Sequence, residues 1–420
     1  MNGYNLISVI GIFFLMFLAW LISRDRRRIN WRVVIWGVAF QLVFAALVFQ
    51  LPAGRRGLWL ASRGVSKLIE AGNAGSTFVF GSLASPVGEK SPGFVLAFQA
   101  LPQIIFFSSL MAALYYLRIM PMVVRGFAWF FSRAMRLSGA ESLYTAGQIF
   151  GGVEVATTVR PYLATMTNSE LHCLLTAGMS TVAVNVLVIY IMYLGPVFAD
   201  IAGHLVCASI LGAPAALVCA KLVWPEDAQP ETMGHVPPIK LNKAEGLTDS
   251  IIFGAMDGVK LIVGIVALLI AFLGLLALVN SILTYAVGRS LEQILGYVFW
   301  PLSLAIGVPS NEAKMVGELL GLRSVATEVP AYQRLAELIR TGAIGERAAL
   351  ITAYALCGFA HVASMAIYVG GTAALVPQRR SDLAKVGFRA LVAGTLASLM
   401  IGAVAGAVYT NQHIFIKGVP

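Results

Sequence analysis

Long apolar stretches separated by short polar ones dominate the pattern of this 420-residue chain. A helix needs about 20 apolar residues to cross a bilayer. Eight stretches approach or exceed that length, at approximately 5–23, 32–51, 95–117, 171–195, 205–224, 259–283, 349–371 and 388–409. The pattern therefore predicts an all-α membrane protein with about eight transmembrane helices. The first stretch lacks a charged leader and a cleavage site, so we expect a retained helix rather than a signal peptide.

Two further apolar regions are interrupted by charges and prolines. The first covers 126–165 and contains GGVEVATTVRPY, and the second covers 291–330 and runs into GLRSVATEVPAY. Each precedes a span with a weak middle, AGMSTVAVN at 177–185 and CGFAHVAS at 357–364. A re-entrant hairpin, a discontinuous helix and a plain helix thus occur twice, which predicts two re-entrant helical hairpins in an inverted repeat. Matching interruptions in two halves are typical of a transporter's binding site.

Basic residues predict the orientation, because cytoplasmic loops are rich in lysine and arginine. Four clusters follow the first, third, fifth and seventh spans: Arg24, Arg26, Arg27, Arg28 and Arg32; Arg118, Arg125, Arg133 and Arg136; Lys221, Lys240, Lys243 and Lys260; Arg379, Arg380, Lys385 and Arg389. The N- and C-termini are then expected outside the cytoplasm. A fifth cluster, Arg55, Arg56, Arg63 and Lys67, would lie outside, and its amphipathic surroundings predict an interfacial helix.

Composition supports a membrane protein. The chain is 58% hydrophobic and 12% charged, with a mean hydropathy of +0.81, whereas soluble domains carry about 25% charged residues. The net charge of +10 is therefore assigned to cytoplasmic loops and not to a nucleic-acid surface. The four cysteines have no metal-ligand spacing and are expected to be free thiols in the core. No hydrolase motif or phosphate-binding loop stands in a suitable context, so we expect no enzyme and no cofactor.

A polar, proline-rich segment at 225–250 divides the chain into two halves. The predicted organisation has scaffold helices and an interfacial helix at 1–94, and a third span with the first hairpin repeat at 95–224. A long helix with the second repeat follows at 251–420.

Two acidic residues occupy similar places in the two hairpins, Glu154 and Glu328. An ionisable residue at membrane depth is a functional-site hypothesis by default. The structural alternative for Glu154 is an ion pair with Arg160. His361 lies in the weak middle of the seventh span, where it is either a satisfied core residue or part of a site.

Several motifs follow one another in a recognisable order: GVPSNEA at 307–313, TEVPAY at 327–332, ALCGFAHVAS at 355–364 and PQRRSDL at 377–383. Together with GGVEVA at 151–156 and MTNSEL at 166–171, they resemble the concentrative nucleoside transporter family over nearly the whole chain. The resemblance implies ion-coupled uptake of nucleosides by alternating access across the cytoplasmic (inner) membrane, and it implies a homotrimer. The alternative is the same fold with a modified nucleoside, a nucleobase or another ribosylated compound as cargo.

The resemblance also implies residue roles. Glu328 and Ser364 correspond to ribose ligands and Phe359 to a pocket wall, while Val186 corresponds to the residue that packs on the base. Glu154, preceded by Gly152 and Val153, corresponds to the base-side acid. A sodium site maps to Gln148, Gly151, Thr181 and Val182, and proton coupling is the alternative. Departures from the family motifs affect the substrate site. A Gln-Thr pair is reduced to Val153, with one residue fewer, and a ribose-side Asn is His361. In the second hairpin, a Lys, an Asn and a Val of the family are Arg323, Thr327 and Pro330.

Overall fold

The computed structural model describes residues 3–85, 93–239, 244–410 and 414–416. Within those ranges the regular structure is helical, and the only β-type pairings are two isolated bridges. Lys240 and Lys243 of the predicted cytoplasmic cluster lie outside the described residues.

The first part of the chain supplies three spans and two further helices. These are α1 (Gly3–Leu21), α2 (Trp31–Gln50), α3 (Pro52–Phe80), the short α4 (Leu96–Gln99) continued by α5 (Leu101–Tyr116), and α6 (Ile119–Met135). Helix α3 is amphipathic and carries the fifth basic cluster on its exposed side, with the Arg63 guanidinium 4.1 Å above the Trp59 ring. This is the arrangement expected of a helix in the membrane interface.

The first repeat then follows. Its elements are α7 (Gly139–Gln148), a 3-10 helix (Val153–Tyr162), the broken span α8 (Asn168–Ser180) and α9 (Val184–Leu194), and the plain span α10 (Ile201–Val223). The second repeat has the same order: α13 (Ala313–Val325), α14 (Glu328–Arg340), the broken span α15 (Glu346–Leu356) and α16 (Val362–Leu375), and the plain span α17 (Arg380–Val408).

Between the repeats lie α11 (Leu247–Val287) and α12 (Leu291–Ala305). Three spans, the α8–α9 pair, α10 and α11, thus separate the two hairpins, so the hairpins enter the bilayer from opposite sides, as an inverted repeat requires. Helix α11 begins inside the predicted linker and extends beyond the predicted span 259–283 at both ends. The predicted span begins too late because Asp249 and Asp257 interrupt the apolar pattern at the start of this helix.

Seven helical stretches of the described ranges are long and apolar enough to cross a membrane. The remaining predicted span, the seventh at 349–371, is divided into α15 and α16, and only the 14-residue α16 is strongly apolar. The predicted all-α membrane fold is therefore confirmed. The two breaks, at 181–183 and 357–361, fall inside the predicted weak middles.

Local chemistry explains where the first hairpin and the first broken span begin. Ser138 with Glu141 and Thr167 with Glu170 form capping boxes that start α7 and α8.

The second arm of the first hairpin is a 3-10 helix and not the α-helix that a helical hairpin implies. Its sequence, VEVATTVRPY, is rich in β-branched residues, and the Thr157 and Thr158 hydroxyls bond back to carbonyls three residues earlier.

A buried ion pair anchors the first hairpin. Lys221 Nζ on α10 lies 2.7 Å from Glu141 Oε2 on α7, and both side chains are buried. Lys221 also donates to Ser169 Oγ at 2.9 Å at the start of α8. One lysine thus joins the plain span, the hairpin and the broken span.

The polar segment after α10 docks on the first hairpin as well. Gly139 N–H donates to the Thr232 carbonyl and Ala140 N–H to the Thr232 hydroxyl, both at 2.9 Å. A Cβ at Gly139 would lie 1.7 Å from the His235 carbonyl oxygen, so only glycine permits this approach. The segment therefore closes the N-terminus of α7.

The core is unevenly distributed. Helices α8 and α10 and the second half of α17 are mostly buried, and all four cysteines are buried free thiols, as predicted. Helix α11 packs along α5 but leaves most of its apolar surface exposed. At about 1.5 Å per residue its 41 residues measure roughly 60 Å, about twice the hydrocarbon thickness.

Candidate functional site

A cavity of about 270 Å³ lies where the hairpins, the two breaks and α11 meet. Nine of the twelve predicted site residues line it: Gly152, Val153, Glu154, Thr181, Val182, Val186, Glu328, Phe359 and His361. Gln148, Gly151 and Ser364 stand behind this lining. The two hairpins and the two broken spans therefore contribute to one site, as the repeated pattern predicts.

Glu328 begins α14 at the tip of the second hairpin and is buried. Its Oε1 accepts a hydrogen bond of 2.6 Å from the Tyr190 hydroxyl on α9. Its Oε2 lies 3.2 Å from His361 Nε2, but the two groups are not aligned for a hydrogen bond. The buried guanidinium of Arg323 interacts electrostatically with this carboxylate and offsets its charge.

His361 is the N-cap of α16. Its Nδ1 accepts the Ser364 N–H at 3.2 Å, and the Ser364 hydroxyl lies 3.1 Å from the His361 N–H and donates at 2.7 Å to the His361 carbonyl. Because Nδ1 accepts this bond, the network assigns the proton of the neutral ring to Nε2, which faces Glu328. Ser364, predicted as a ribose ligand, thus holds the imidazole in place from behind the cavity wall.

The buried polar atoms at this end of the cavity are not all satisfied. Glu328 Oε2, His361 Nε2 and Thr327 Oγ1 have no aligned hydrogen-bond partner among the described residues. Leaving such atoms unpaired costs about 1–3 kcal/mol each. The cluster offers a carboxylate acceptor beside an N–H donor, which is the arrangement that a hydroxyl-bearing ligand satisfies.

Glu154 has a different environment. It is exposed to the cavity, and its Oε1 accepts the Gly152 N–H at 2.8 Å. No ion pair joins it to Arg160 in the part of the chain that the structure describes, so the structural alternative is not supported. A Cβ at position 152 would lie 2.9 Å from Glu154 Oε2, so the glycine makes room for the carboxylate.

The residues of the predicted ion site are contiguous at the hairpin tip and the first break. The tip is joined to α9 by a bond from Val184 N–H to the Phe150 carbonyl at 3.2 Å. Gln148 Nε2 donates to the Gly152 carbonyl at 2.8 Å, and Gln148 Oε1 accepts the Tyr368 hydroxyl at 3.4 Å. The Thr181 hydroxyl donates to the Ala177 carbonyl at 2.8 Å. Amide, hydroxyl and carbonyl oxygens therefore occur at the hairpin tip and the first break, and such neutral oxygen ligands suit a hard cation.

Three residues of the site were not predicted as site residues: Thr327 and Tyr368, which line the cavity, and Tyr190, which donates to Glu328. Tyr190 looks like an ordinary aromatic residue of an apolar span. Its one signal is spacing, because it stands four residues after Val186 and so shares a helix face with it. Its stacking on Tyr332, at 4.4 Å between ring centroids, fixes the phenol toward Glu328.

Comparisons with known proteins agree with this geometry. Family models described as the N-terminus and C-terminus of the Na⁺ dependent nucleoside transporter match residues 10–83 and 204–406, and a model described as nucleoside recognition matches 97–197. An uncharacterised transporter of Haemophilus influenzae is 38% identical, with 95% of this chain and 96% of that protein aligned. Human solute carrier family 28 member 3 is 35% identical over 96% of this chain, which spans 60% of the human protein's length.

Solved structures match equally well. CNTnw in an inward-facing, substrate-bound state has a TM-score of 0.89 at 36% identity, covering 97% of this chain and 98% of that one. A doubly substituted CNTnw in an outward-facing state also has a TM-score of 0.89 at 36% identity, with the same coverage. The chain is a multi-pass membrane transporter, not an enzyme. It belongs to the concentrative, Na⁺-dependent nucleoside transporter family, which confirms the resemblance in its motifs.

Proposed function

We propose that this chain takes up nucleosides by ion-coupled alternating access, with the cavity between the hairpins as the substrate site. The observation that carries the assignment is the pair of unaligned buried atoms, Glu328 Oε2 and His361 Nε2, 3.2 Å apart. A ribose hydroxyl placed there donates to the carboxylate and accepts from the imidazole. The apolar walls, among them Val186 and Phe359, receive the base.

The coupling ion that we propose is Na⁺, bound by Gln148, Gly151, Thr181 and Val182. Two things support it: the neutral oxygens around the hairpin tip, and the description of the matching family models. Proton coupling is the competing proposal, because His361 is an imidazole inside the substrate site.

One reconstitution experiment tests both proposals. The purified protein is placed in proteoliposomes, and uptake of radiolabelled nucleosides is measured with an inward Na⁺ gradient or an inward proton gradient, imposed separately. We expect accumulation above equilibrium with Na⁺ alone. Absence of gradient-driven uptake for every nucleoside and nucleobase contradicts the transport proposal, and accumulation with the proton gradient alone contradicts only the choice of ion.

For the assembly we propose a homotrimer in the cytoplasmic membrane with both termini outside the cytoplasm. The family to which the chain belongs supports the homotrimer, and the basic clusters support the orientation. The mass of the detergent-free protein in nanodiscs tests the trimer. A Gly3→Cys variant, labelled on whole cells with a membrane-impermeant thiol reagent, tests the orientation.

A further inference from the structure

Two arginines that are far apart in the sequence approach the same tryptophan ring. Trp224 directly follows α10 and is buried, and its ring centroid lies 4.8 Å from Arg24 Cζ and 5.5 Å from Arg389 Cζ. The Arg24 N–H donates to the Val223 carbonyl at 2.9 Å, which holds the loop after α1 against the end of α10. Arg389 belongs to α17. Two cations from different elements thus meet at the end of the bundle that we propose to face the cytoplasm.

Helices α1 and α17 form the outer edge of this region. The two helices pack along each other, and Asn5 Nδ2 near the start of α1 donates to the Tyr409 carbonyl just after α17 at 2.8 Å. They are therefore antiparallel, and the last turn of α1 lies beside the first turns of α17. Phe17, Leu21 and Phe388 are exposed on these turns. In a membrane protein such exposed apolar side chains contact lipid acyl chains.

The positive charge in this region is not balanced. Arg24 Nη1 lies 3.2 Å from Asp227 Oδ2, and both side chains are partly exposed. Arg389 and Lys385, one turn apart on α17, are exposed and form no ion pair within the described ranges, and the same is true of Arg26 in the loop after α1. We call Arg24, Arg26, Lys385 and Arg389 the basic rim. Its net positive charge favours an anionic ligand.

Stacking on Trp224 orients the two guanidinium groups without using their hydrogen-bond donors. A guanidinium that lies over an aromatic ring makes contact through its flat face, and the N–H groups at its edge remain free to bind. Arg24 directs one edge nitrogen to Asp227, whereas Arg389 has no carboxylate partner in the part of the chain that the structure describes. Phosphate oxygens bind such an edge in a bidentate manner. The basic rim is therefore suited to a phosphate group.

We propose that the basic rim binds the phosphate of an anionic phospholipid, whose acyl chains lie on the exposed apolar side chains of α1 and α17. A free phosphate ion uses only the cations, whereas a phospholipid matches both the charge and the apolar surface beside it. Basic pockets between membrane helices on the cytoplasmic side bind such headgroups. The lipid joins two helices from opposite ends of the chain, and its binding does not depend on which cargo is transported.

The test is lipid binding to the purified full-length protein in detergent, measured by native mass spectrometry. The two probes carry the same acyl chains: palmitoyl-oleoyl phosphatidylglycerol, which is anionic, and palmitoyl-oleoyl phosphatidylcholine, which has no net charge. We expect the wild type to bind phosphatidylglycerol about tenfold more tightly than phosphatidylcholine. Arg24→Gln and Arg389→Gln should each weaken phosphatidylglycerol binding about fivefold and leave phosphatidylcholine binding unchanged, because each removes one cation near the headgroup.

Arg289→Gln is the matched control. Arg289 is also an exposed arginine stacked on an aromatic ring, with its Cζ 4.8 Å from the Tyr297 centroid, but it lies beyond the end of α11 that is distant from the linker. Its substitution should leave both affinities unchanged. If the arginine variants of the rim do not fold, Lys385→Gln, at an exposed position of α17, takes their place with the same expected loss of about fivefold.

Three outcomes overturn the proposal. Equal affinity of the wild type for the two lipids is the first, and an equal loss in the control and in the rim variants is the second. Displacement of phosphatidylglycerol by inorganic phosphate is the third, because the rim then binds any phosphate and not a lipid. No nucleoside enters the measurement, so its failure leaves the proposed function untouched, and a failure of nucleoside uptake leaves the lipid site untouched.

Discussion

The Tyr190 hydroxyl on α9 donates a 2.6 Å hydrogen bond to Glu328 Oε1 on α14. The tyrosine belongs to the first repeat and the glutamate to the second. A single bond between them thus fixes the carboxylate at the point where the two repeats meet, while its other oxygen remains directed toward His361.

Removal of the Tyr190 hydroxyl tests whether this bond holds the Glu328 carboxylate in position for the substrate. We expect Tyr190→Phe to raise the KM for nucleoside uptake about 10- to 100-fold, because hydrogen bonds to charged groups contribute about 1.5–3 kcal/mol. Stacking on Tyr332 remains, so the fold should be retained. Tyr285→Phe on the exposed side of α11 is the control, and an equal effect in both variants contradicts the assignment.

Neutralising Glu328 tests ribose recognition. Glu328→Gln is expected to weaken nucleoside binding roughly 100-fold, because a charge-assisted acceptor of hydroxyl protons is lost. The wild type should also discriminate against 2′,3′-dideoxynucleosides, and the variant should not. Glu337→Gln, on an exposed part of the same helix, controls for the change of charge. If the wild type binds ribo- and dideoxynucleosides equally well, the sugar hydroxyls do not contact Glu328.

Two substitutions of His361 separate its capping role from its donor role. Asparagine is a good N-cap and also has an N–H donor, so His361→Asn should keep nucleoside affinity within about threefold and shift base or pH preference only slightly. His361→Ala loses both roles and should cost about 1 kcal/mol of stability and at least tenfold in affinity. Uptake is measured between pH 5.5 and 8. An alanine variant that transports like the wild type would show that the imidazole is only packed.

The Thr181 hydroxyl is expected to matter for the ion and not for the sugar. Thr181→Val keeps the shape but removes one oxygen, so half-maximal uptake should need about tenfold more Na⁺, with little change in nucleoside affinity at saturating Na⁺. Thr395 makes the same hydroxyl-to-carbonyl bond four residues back on α17, away from the cavity, and Thr395→Val is the control. Unchanged Na⁺ dependence would remove Thr181 from the proposed ion site.

The buried Lys221–Glu141 pair is expected to stabilise the first hairpin. Lys221→Met leaves a buried carboxylate without its cation, which costs about 3–5 kcal/mol and should lower the thermal midpoint of the detergent-solubilised protein markedly. Glu141→Gln added to that variant should restore part of the loss, because the carboxylate closest to the lost ammonium is then neutral. Arg334→Met, in an exposed pair, should change stability by less than about 1 kcal/mol.

Much of this architecture was predictable from the sequence, because membrane depth restricts what the backbone can do. Interrupted apolar segments at matching positions indicated both breaks, and these were found at 181–183 and 357–361. The cavity also brings together Glu154 and Glu328, the two acids singled out at membrane depth. These features follow from the cost of unsatisfied polar groups in lipid.

The rest depended on packing, which local patterns do not encode. Tyr190 resembles any core aromatic residue until α14 is placed beside α9. The resemblance implies that Ser364 binds ribose, and local patterns did not show that its hydroxyl also belongs to the capping network of His361. The 3-10 arm of the first hairpin arises from competing threonine bonds that hydropathy cannot detect.

The paired hairpins affect how the substrate specificity of such a pocket changes in evolution. Each hairpin contributes one carboxylate to the cavity. The two acids lie in separate halves of the chain and have different neighbours. The resemblance implies that Glu154 is on the base side and Glu328 on the ribose side, so we expect a substitution beside one acid to leave the contacts around the other intact. The specificity of such a transporter for the base and for the sugar can therefore change separately in evolution. In this chain Val153 and His361, which differ from the family motifs, lie beside one acid each.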